Sequence, residues 1–133
     1  MSATILALQE SPVGISAVEQ YATVRGHRLI RARDMDEAFL CLDSNVVHLI
    51  ICGVHLETVD TFEFLRAVKA FARTRTIPFV ILSATTTGAA RHLNTALAQA
   101  ARALEASNYL ALEELDFEKL NAELDRLLPE ELR

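Results

Sequence analysis

Side chains that could act as metal ligands or nucleophiles are few and scattered along the chain. The two cysteines, Cys41 and Cys52, form no C-x-x-C pair and have no histidine at metal-ligand spacing, so we predict reduced thiols and no zinc site. The histidines are equally dispersed: His27, His48, His55 and His92. No combination of nucleophile, base and orienting group can be assembled from these residues. The sequence therefore predicts a protein without enzymatic activity, bound metal or cofactor.

Hydroxyl groups cluster after one apolar run, where Ser83 is followed by the loop TTTG at 85–88. A phosphate-binding loop would need a glycine-rich frame and a following lysine, and this loop has neither. We interpret the threonines as helix-capping groups. Ser83 is either a polar group at a functional edge or a residue that bonds to nearby backbone. His55 is either a contact for an anion or a solvated loop residue.

The composition indicates one folded domain. The chain has 133 residues, of which 51% are hydrophobic and 23% charged, and this apolar content suffices for a single core. The net charge of -5 disfavours binding to nucleic acid. No apolar run approaches the roughly 20 residues that cross a membrane, and the amino terminus lacks the features of a secretory signal. We expect a cytoplasmic domain over residues 1–129, with residues 130–133 as a tail or the start of a linker.

Short apolar runs alternate with amphipathic stretches, a pattern typical of a parallel α/β sheet. The predicted strands cover residues 4–8, 28–32, 46–53, 79–82 and 109–111. The predicted helices cover residues 13–24, 34–44, 60–72, 89–105 and 116–128. The run that ends at Gly53 is the most continuously apolar and predicts the central strand, whereas the arginines of the second strand place it near an edge.

Three of the predicted helix ends carry a capping signal. Asp34 and Glu37 have the three-residue spacing of an N-cap and its partner, and Asp60 and Glu63 repeat it. Gly26 follows the first helix and can adopt the left-handed conformation that ends a helix. The sequence therefore fixes three helix boundaries independently of its apolar pattern.

Three successive segments also follow a familiar order: HLIICGVHL at 48–56, DTFEFLR at 60–66 and IPFVILSA at 77–84. They resemble the third strand, third helix and fourth strand of the receiver domain of two-component response regulators, and ASNYL at 106–110 resembles its fifth strand, with the family's aromatic residue at Tyr109. The resemblance covers nearly the whole chain. It implies an α/β fold of the flavodoxin-like (βα)5 type, a three-layer sandwich around a parallel five-stranded sheet in the order 2-1-3-4-5.

The resemblance also indicates where that family carries its phosphorylation chemistry. The corresponding positions here are Gln9 and Glu10 for the acidic metal-binding pair, Gly53 for the acceptor aspartate, Ser83 for the hydroxyl and Leu112 for the lysine. Glycine offers no carboxylate nucleophile, and Glu10 beside a neutral amide is a poor Mg²⁺ site. Leu112 removes the cation that would face a phosphoryl group. The resemblance implies a pseudo-receiver that is not phosphorylated and binds no metal, with a degenerate pocket.

In the receiver family, the fourth helix, fifth strand and last helix form the face that binds partners. The predicted fourth helix of this chain is longer than the family's usual spacing by about two turns. We expect a protein partner, either a signalling protein, a linked output domain or a second copy in a homodimer, and an adaptor role. The expected face includes Arg91, Leu97, Arg102, Tyr109 and Glu113. The alternative is a module that senses a small ligand in the vacated pocket.

Overall fold

The computed structural model describes residues 2–9, 11–53, 60–83, 98–100, 102–103, 108–111 and 117–132. In chain order the elements are β1 (Thr4–Leu8), α1 (Pro12–Arg25), β2 (Arg28–Arg31), α2 (Met35–Ser44), β3 (Leu49–Gly53), α3 (Thr61–Ala70), β4 (Phe79–Ser83), β5 (Asn108–Ala111) and the C-terminal helix (Phe117–Leu127). A short 3₁₀ helix, Glu130–Leu132, follows. Residues 98–100 and 102–103 are helical, as predicted, and the rest of the predicted fourth helix lies outside the described residues.

The five strands form one parallel sheet in the order β2-β1-β3-β4-β5. This confirms the predicted flavodoxin-like topology. Both β3 and β4 are buried along all five of their residues, as expected for strands covered by helices on both faces. The ends of β2 are exposed, which confirms its predicted position at an edge of the sheet.

Two apolar clusters cover the two faces of the sheet. Side chains that alternate along each strand point to opposite faces. One cluster joins strand residues such as Leu6 and Ile50 to side chains of α2 and α3, including Phe64. The other joins strand residues such as Ile51 to side chains of α1 and the C-terminal helix, including Leu124. The architecture is therefore three layers, with helices on each side of the sheet.

The predicted caps form as the sequence indicates. The Asp34 carboxylate accepts a hydrogen bond from the Glu37 amide at 2.8 Å. The Asp60 carboxylate accepts from the Glu63 amide at 3.1 Å. Gly26 adopts a φ of 70° at the end of α1, a conformation that favours glycine because it has no Cβ. These groups satisfy backbone atoms that a helix end leaves unpaired.

Two predicted boundaries are wrong by a few residues. The third strand begins at Leu49 rather than at residue 46, because Val46 lies outside the sheet with 76% of its surface exposed. The third helix ends at Ala70 rather than at residue 72. There, the Thr74 hydroxyl donates to the Val68 carbonyl at 2.6 Å and closes a turn that replaces further helix.

The predicted domain end at residue 129 stays a prediction. Within the described residues, the packed structure continues to Leu132, which is only 5% exposed and belongs to the cluster under α1 and the C-terminal helix. Among the described helices, none combines the length and the apolar character needed to cross a membrane.

Candidate functional site at the carboxyl edge of the sheet

The parallel register brings the carboxyl ends of neighbouring strands together at one edge. The paired residues there are Leu8 with Cys52, Gly53 with Leu82, and Ser83 with Ala111. Gln9 directly follows β1, so it shares this edge with Gly53 and Ser83. In open α/β sheets this edge is where ligands bind. The structure thus brings together three residues of the predicted degenerate pocket, while Glu10 and Leu112 lie outside the described residues.

Gly53 occupies the centre of this edge. It is buried at the end of β3 and, as glycine, presents only backbone atoms. Its carbonyl oxygen accepts a hydrogen bond of 2.6 Å from the hydroxyl of Thr61, the first residue of α3. The carbonyl is therefore already engaged by the protein, and the position carries no side chain that could accept a phosphoryl group.

The side chain of Gln9 crosses this edge. Its Nε2 donates to the carbonyl oxygen of Leu82 on β4, at a long 3.4 Å. Because β3 lies between β1 and β4, the amide passes the end of β3, where Gly53 has no side chain to obstruct it. The Gln9 amide also lies against α1: a Cβ on Gly14 would come within 2.5 Å of Gln9 Oε1. Gln9 thus spans the place where the sequence predicted a vacated pocket.

Two described side chains near this edge could act as nucleophiles, those of Cys52 and Ser83, and neither is activated. The Cys52 sulfur lies 3.9 Å from the Thr61 hydroxyl oxygen, and burial raises the pKa of the Cys52 thiol to about 12. A thiol with that pKa stays protonated at neutral pH and is inert. Ser83 is only 2% exposed. The described part of this edge therefore presents neither a thiolate nor an accessible hydroxyl.

The described residues do not fit a magnesium ion. Mg²⁺ is held in proteins by carboxylate oxygens in near-octahedral geometry. Gln9 supplies a neutral amide, and the Gly53 carbonyl already accepts from Thr61. Across the described ranges, no three His, Cys, Asp or Glu side chains are grouped as metal ligands. Gln9, Gly53 and Ser83 therefore offer no carboxylate that could hold magnesium.

The predicted interaction face is described only in part. Arg102 is exposed on a helical segment, and Phe117 begins the C-terminal helix with 38% of its surface exposed. Tyr109 pairs with Ile81 through the β4–β5 ladder, but its side chain lies outside the described residues. So do the remaining residues of the predicted face, Arg91, Leu97 and Glu113.

Two residues at the carboxyl edge were not predicted from the sequence. Thr61 follows the recognised cap Asp60, and its hydroxyl bonds to Gly53 across the loop between β3 and α3. Gly14 lies in the first turn of α1, where glycine is unfavourable for helix formation. That unfavourable glycine was the available signal, and the structure accounts for it by the close approach of Gln9.

Comparison with known sequences gives limited similarity. No protein-family model matches the chain. A gliding motility regulatory protein of Myxococcus xanthus is 28% identical over 79 residues, which is 59% of this chain. The aligned region is only 10% of that protein, so the chain spans about a tenth of the length of the relative it matches.

Comparison with solved structures is more extensive. A chemotaxis response regulator of Vibrio cholerae superposes with a TM-score of 0.75 and 23% identity, covering 96% of this chain and 100% of that chain. A response regulator receiver protein of Pseudomonas putida superposes with a TM-score of 0.74 and 19% identity, covering 95% of this chain and 98% of that chain. The receiver domain of a Pseudomonas aeruginosa sensor histidine kinase superposes with a TM-score of 0.73 and 20% identity, covering 96% of this chain and 98% of that chain. That structure was solved with magnesium in its active-site cleft. The chain therefore has the CheY-like, flavodoxin-like fold of response-regulator receiver domains.

Proposed function

We propose that this chain is a receiver-like signalling module that works without phosphorylation and acts by binding another protein. One observation carries the proposal: Gly53 ends the central strand, at the centre of the edge where parallel α/β folds bind ligands. An acyl phosphate needs a carboxylate oxygen as the attacking group, and glycine has none. The fold is thus retained, while the residue at the reacting position is not.

The surroundings of Gly53 support the same conclusion. Cys52 is buried and has a raised pKa of about 12, so it cannot substitute as a nucleophile. Gln9 contributes a neutral amide that is hydrogen-bonded to Leu82. Receiver chemistry would require a cation bound among carboxylates, and the described residues at this edge offer amide and carbonyl groups instead.

Phosphorylation can be tested directly with acetyl phosphate and Mg²⁺. We expect the intact mass of the chain to remain unchanged, while a phosphorylatable receiver domain in a parallel reaction gains one phosphoryl group. The Gly53→Asp variant tests whether an added carboxylate alone restores transfer, and Gly53→Asn is its matched neutral control. A phosphoryl adduct on the unaltered chain that hydroxylamine removes, as an acyl phosphate requires, would overturn the proposal.

Protein binding is the activity that remains for such a module. In the receiver family, the face built by the fourth helix, fifth strand and last helix contacts partners. Arg102 and Phe117 are both exposed, each on one of the two helices of this face, and interfaces commonly combine apolar anchors with charged groups. The partner would be a signalling protein, a linked output domain or a second copy of this chain.

The binding face can be tested by charge reversal. We expect Arg102→Glu combined with Tyr109→Ala to remove a partner that the unaltered chain retains from native extract. Arg31→Glu, on the edge strand β2, serves as the matched charge-reversal control. Retention of the same partner by the double variant, with an unchanged unfolding midpoint, would contradict the proposed face.

The ligand-sensing alternative receives less support. Gln9 extends from β1 to the Leu82 carbonyl and contacts the first turn of α1, so its amide takes up space that a ligand would need. We therefore do not propose a ligand site there.

A further inference from the structure

Four phenylalanine rings, each in contact with the next, form an aromatic ladder from the core to the surface on the α2–α3 side of the sheet. Phe79 of β4 and Phe64 of α3 are fully buried, with ring centroids 5.6 Å apart. Phe64 contacts Phe39 of α2 at 5.6 Å, and Phe39 contacts Phe71 at 6.0 Å, both edge to face. The ladder ends at Phe71, which is 57% exposed. A large apolar ring is therefore presented to solvent by a rigid support.

Phe71 is held in place by a hydrogen-bonded turn. The amides of Thr74 and Arg75 both donate to the Phe71 carbonyl, at 3.1 and 2.9 Å. The Thr74 side chain is buried, and its hydroxyl donates to Val68 at 2.6 Å. Since these bonds fix the turn before any partner arrives, little conformational entropy would be lost on binding.

A groove opens between this turn and α2. Its volume is about 570 Å³, and it is lined by Phe39, Asp43, Phe71, Ala72, Arg73 and Thr74. This volume lies within the roughly 300–1,000 Å³ of known binding pockets. The two phenylalanines provide apolar walls. Asp43 and Arg73 form an ion pair at the groove, so each of these two charges compensates the other there.

The end of α3 and the turn that follows it are rich in basic residues. Residues 64–76 contain four basic residues, Arg66, Lys69, Arg73 and Arg75, and no acidic residue, in a chain whose net charge is -5. Lys69 Nζ donates to the Arg75 carbonyl at 3.0 Å, which brings two of these basic residues together. Favourable interaction with the helix dipole accounts for cations at a helix end, but not for the exposed Phe71 among them.

We infer that the groove between α2 and the 71–77 turn binds an acidic segment of a partner protein through one large apolar side chain. The apolar side chain would enter between Phe39 and Phe71, and carboxylates on either side of it would face Arg75 and compete with Asp43 for Arg73. Apolar anchors supply most of the affinity of such interfaces, and surrounding charges set selectivity and association rate. This inference deepens the proposed protein-binding role by adding a second surface, on other helices than the face tested with Arg102.

The test uses two synthetic peptides and the ¹⁵N-labelled chain. One peptide carries a phenylalanine flanked by glutamates, and the other has lysines in place of the glutamates. We expect the acidic peptide to shift the amide resonances of residues 71–75 and of Phe39 to Asp43, and the basic peptide to leave them unchanged. Phe71→Ser, and separately Arg73→Glu with Arg75→Glu, should each weaken binding about tenfold or more.

Matched variants on other surfaces control for general effects. Val24→Ser removes an apolar side chain that is similarly exposed, at 61%, on α1. Arg31→Glu reverses a charge on β2. Both should leave peptide affinity unchanged, and all variants should keep the unfolding midpoint of the parent chain.

Four results would overturn the inference. They are no shift at the groove with the acidic peptide, an equal response to the basic peptide, preferential binding to phosphatidylserine vesicles, and self-association that Phe71→Ser abolishes. The last two would assign the surface to a membrane or to a second copy. None of them affects the Gly53 mass measurement or the Arg102 variant, so failure here is distinguishable from failure of the proposed function.

Discussion

The carboxyl edge of the sheet, where the parallel strands end, and the amino edge, where they begin, use polar groups in opposite ways. At the carboxyl edge, the described site residues are neutral: the Gln9 amide, the Gly53 backbone and the Thr61 hydroxyl. At the amino edge, two histidines hold the start of β1. His27 Nδ1 accepts from the Ala3 amide at 3.1 Å, and His48 Nδ1 accepts from the Thr4 amide at 3.0 Å. Gln9, Gly53 and Thr61 at the carboxyl edge are thus neutral, while the described part of the opposite edge is rich in ionisable groups.

A second group of ionisable side chains joins two helices near the amino edge. Asp125 of the C-terminal helix accepts a hydrogen bond of 2.7 Å from the Tyr21 hydroxyl. Asp125 also pairs with Arg25 through two guanidinium nitrogens, with the shortest contact at 2.9 Å. Burial opposes ionisation of Asp125, but the hydrogen bonds from Arg25 and Tyr21 outweigh it, so the pKa lies below the usual value.

In this fold, polar groups at the amino edge stabilise the structure, whereas the carboxyl edge holds the candidate functional site. Among the described residues at the amino edge, both histidine Nδ1 atoms and the Asp125 carboxylate have hydrogen-bond partners that favour folding, whereas His27 Nε2 is buried without one. At the carboxyl edge, Gln9, Gly53 and Thr61 are neutral, so these groups add no repulsion between like charges. Substitutions at the amino edge should therefore lower stability most, and a charge added at the carboxyl edge should lower it less.

Removing the Asp125 carboxylate should have the largest effect on stability. Asp125→Ala leaves the Tyr21 hydroxyl and the Arg25 guanidinium without their shared acceptor, and we expect a loss of about 2 kcal/mol in the free energy of unfolding. Urea denaturation at neutral pH measures it. Because the folded pKa of Asp125 is lowered, its contribution is present above the usual aspartate pKa and is lost as pH falls through the lowered value.

Glu130→Ala is the control for Asp125→Ala, since Glu130 is exposed. An exposed residue of this kind should change the free energy of unfolding by less than about 0.5 kcal/mol. If the two variants are equally stable, the network near the amino edge does not support the fold.

Adding a carboxylate at the carboxyl edge should lower the free energy of unfolding by less. In the absence of Mg²⁺, we expect Gly53→Asp to lower the free energy of unfolding by about 1–2 kcal/mol, because the charge would be buried without a matched cation. Thermal or urea unfolding provides the measurement. Gly53→Asn separates charge from size: equal losses in both variants would assign the cost to steric crowding, and a higher midpoint for Gly53→Asp would contradict the prediction.

Acidification should weaken the amino edge through His27. Burial lowers the pKa of His27; Asp125 acts in the opposite direction, and Arg25, His48 and the amino terminus act with burial. The folded state therefore resists a proton that the unfolded chain accepts, so stability should fall as pH drops below the ordinary histidine value of 6.5. A protonated Nδ1 could not accept from the Ala3 amide.

His27→Asn tests this assignment, because its side-chain oxygen can accept the same amide but does not titrate. Urea midpoints recorded across the mildly acidic range should decline less steeply for this variant than for the parent chain. An identical pH dependence in both proteins would assign the effect to groups other than His27.

The smallest expected effect is the coupling between Gly14 and Gln9. Gly14→Ala should gain helix propensity of roughly 0.5–1 kcal/mol, but the new Cβ must displace the Gln9 amide. In a Gln9→Ala background the full gain should return. A double-mutant cycle in urea should therefore give a coupling of about 0.5–1 kcal/mol. If the effects of the two substitutions on the free energy of unfolding simply add, the Gln9 side chain does not contact α1.

Much of the fold could be predicted from the sequence. The first strand has the predicted limits, and Asp34, Asp60 and Gly26 mark helix ends where expected. These features are local: a strand follows from a short apolar run, and a cap from residues three positions apart. The errors arose where local pattern and packing disagree, as at Val46, which is apolar yet excluded from the sheet.

The site was predictable in its composition but not in its contacts. Gly53 alone rules out an acceptor carboxylate at its position, because a missing side chain is a property of the sequence. The Gln9 contact with Leu82 joins residues 73 positions apart, and the role of Gly14 depends on it. The groove beside Phe71 likewise depends on Phe39, from another helix, at 6.0 Å.

The sequence by itself determined the alternation of strands and helices, their caps and the neutral residue at the centre of the carboxyl edge. Only the tertiary structure decided which side chains meet: Asp125 with Arg25, 100 positions away, His27 with Ala3, and Gln9 with Leu82. The physical reason is the distance along the chain over which each kind of interaction acts. Backbone preference and apolar periodicity act within a few residues, whereas the partner of a polar side chain is set by how distant elements pack against the common sheet.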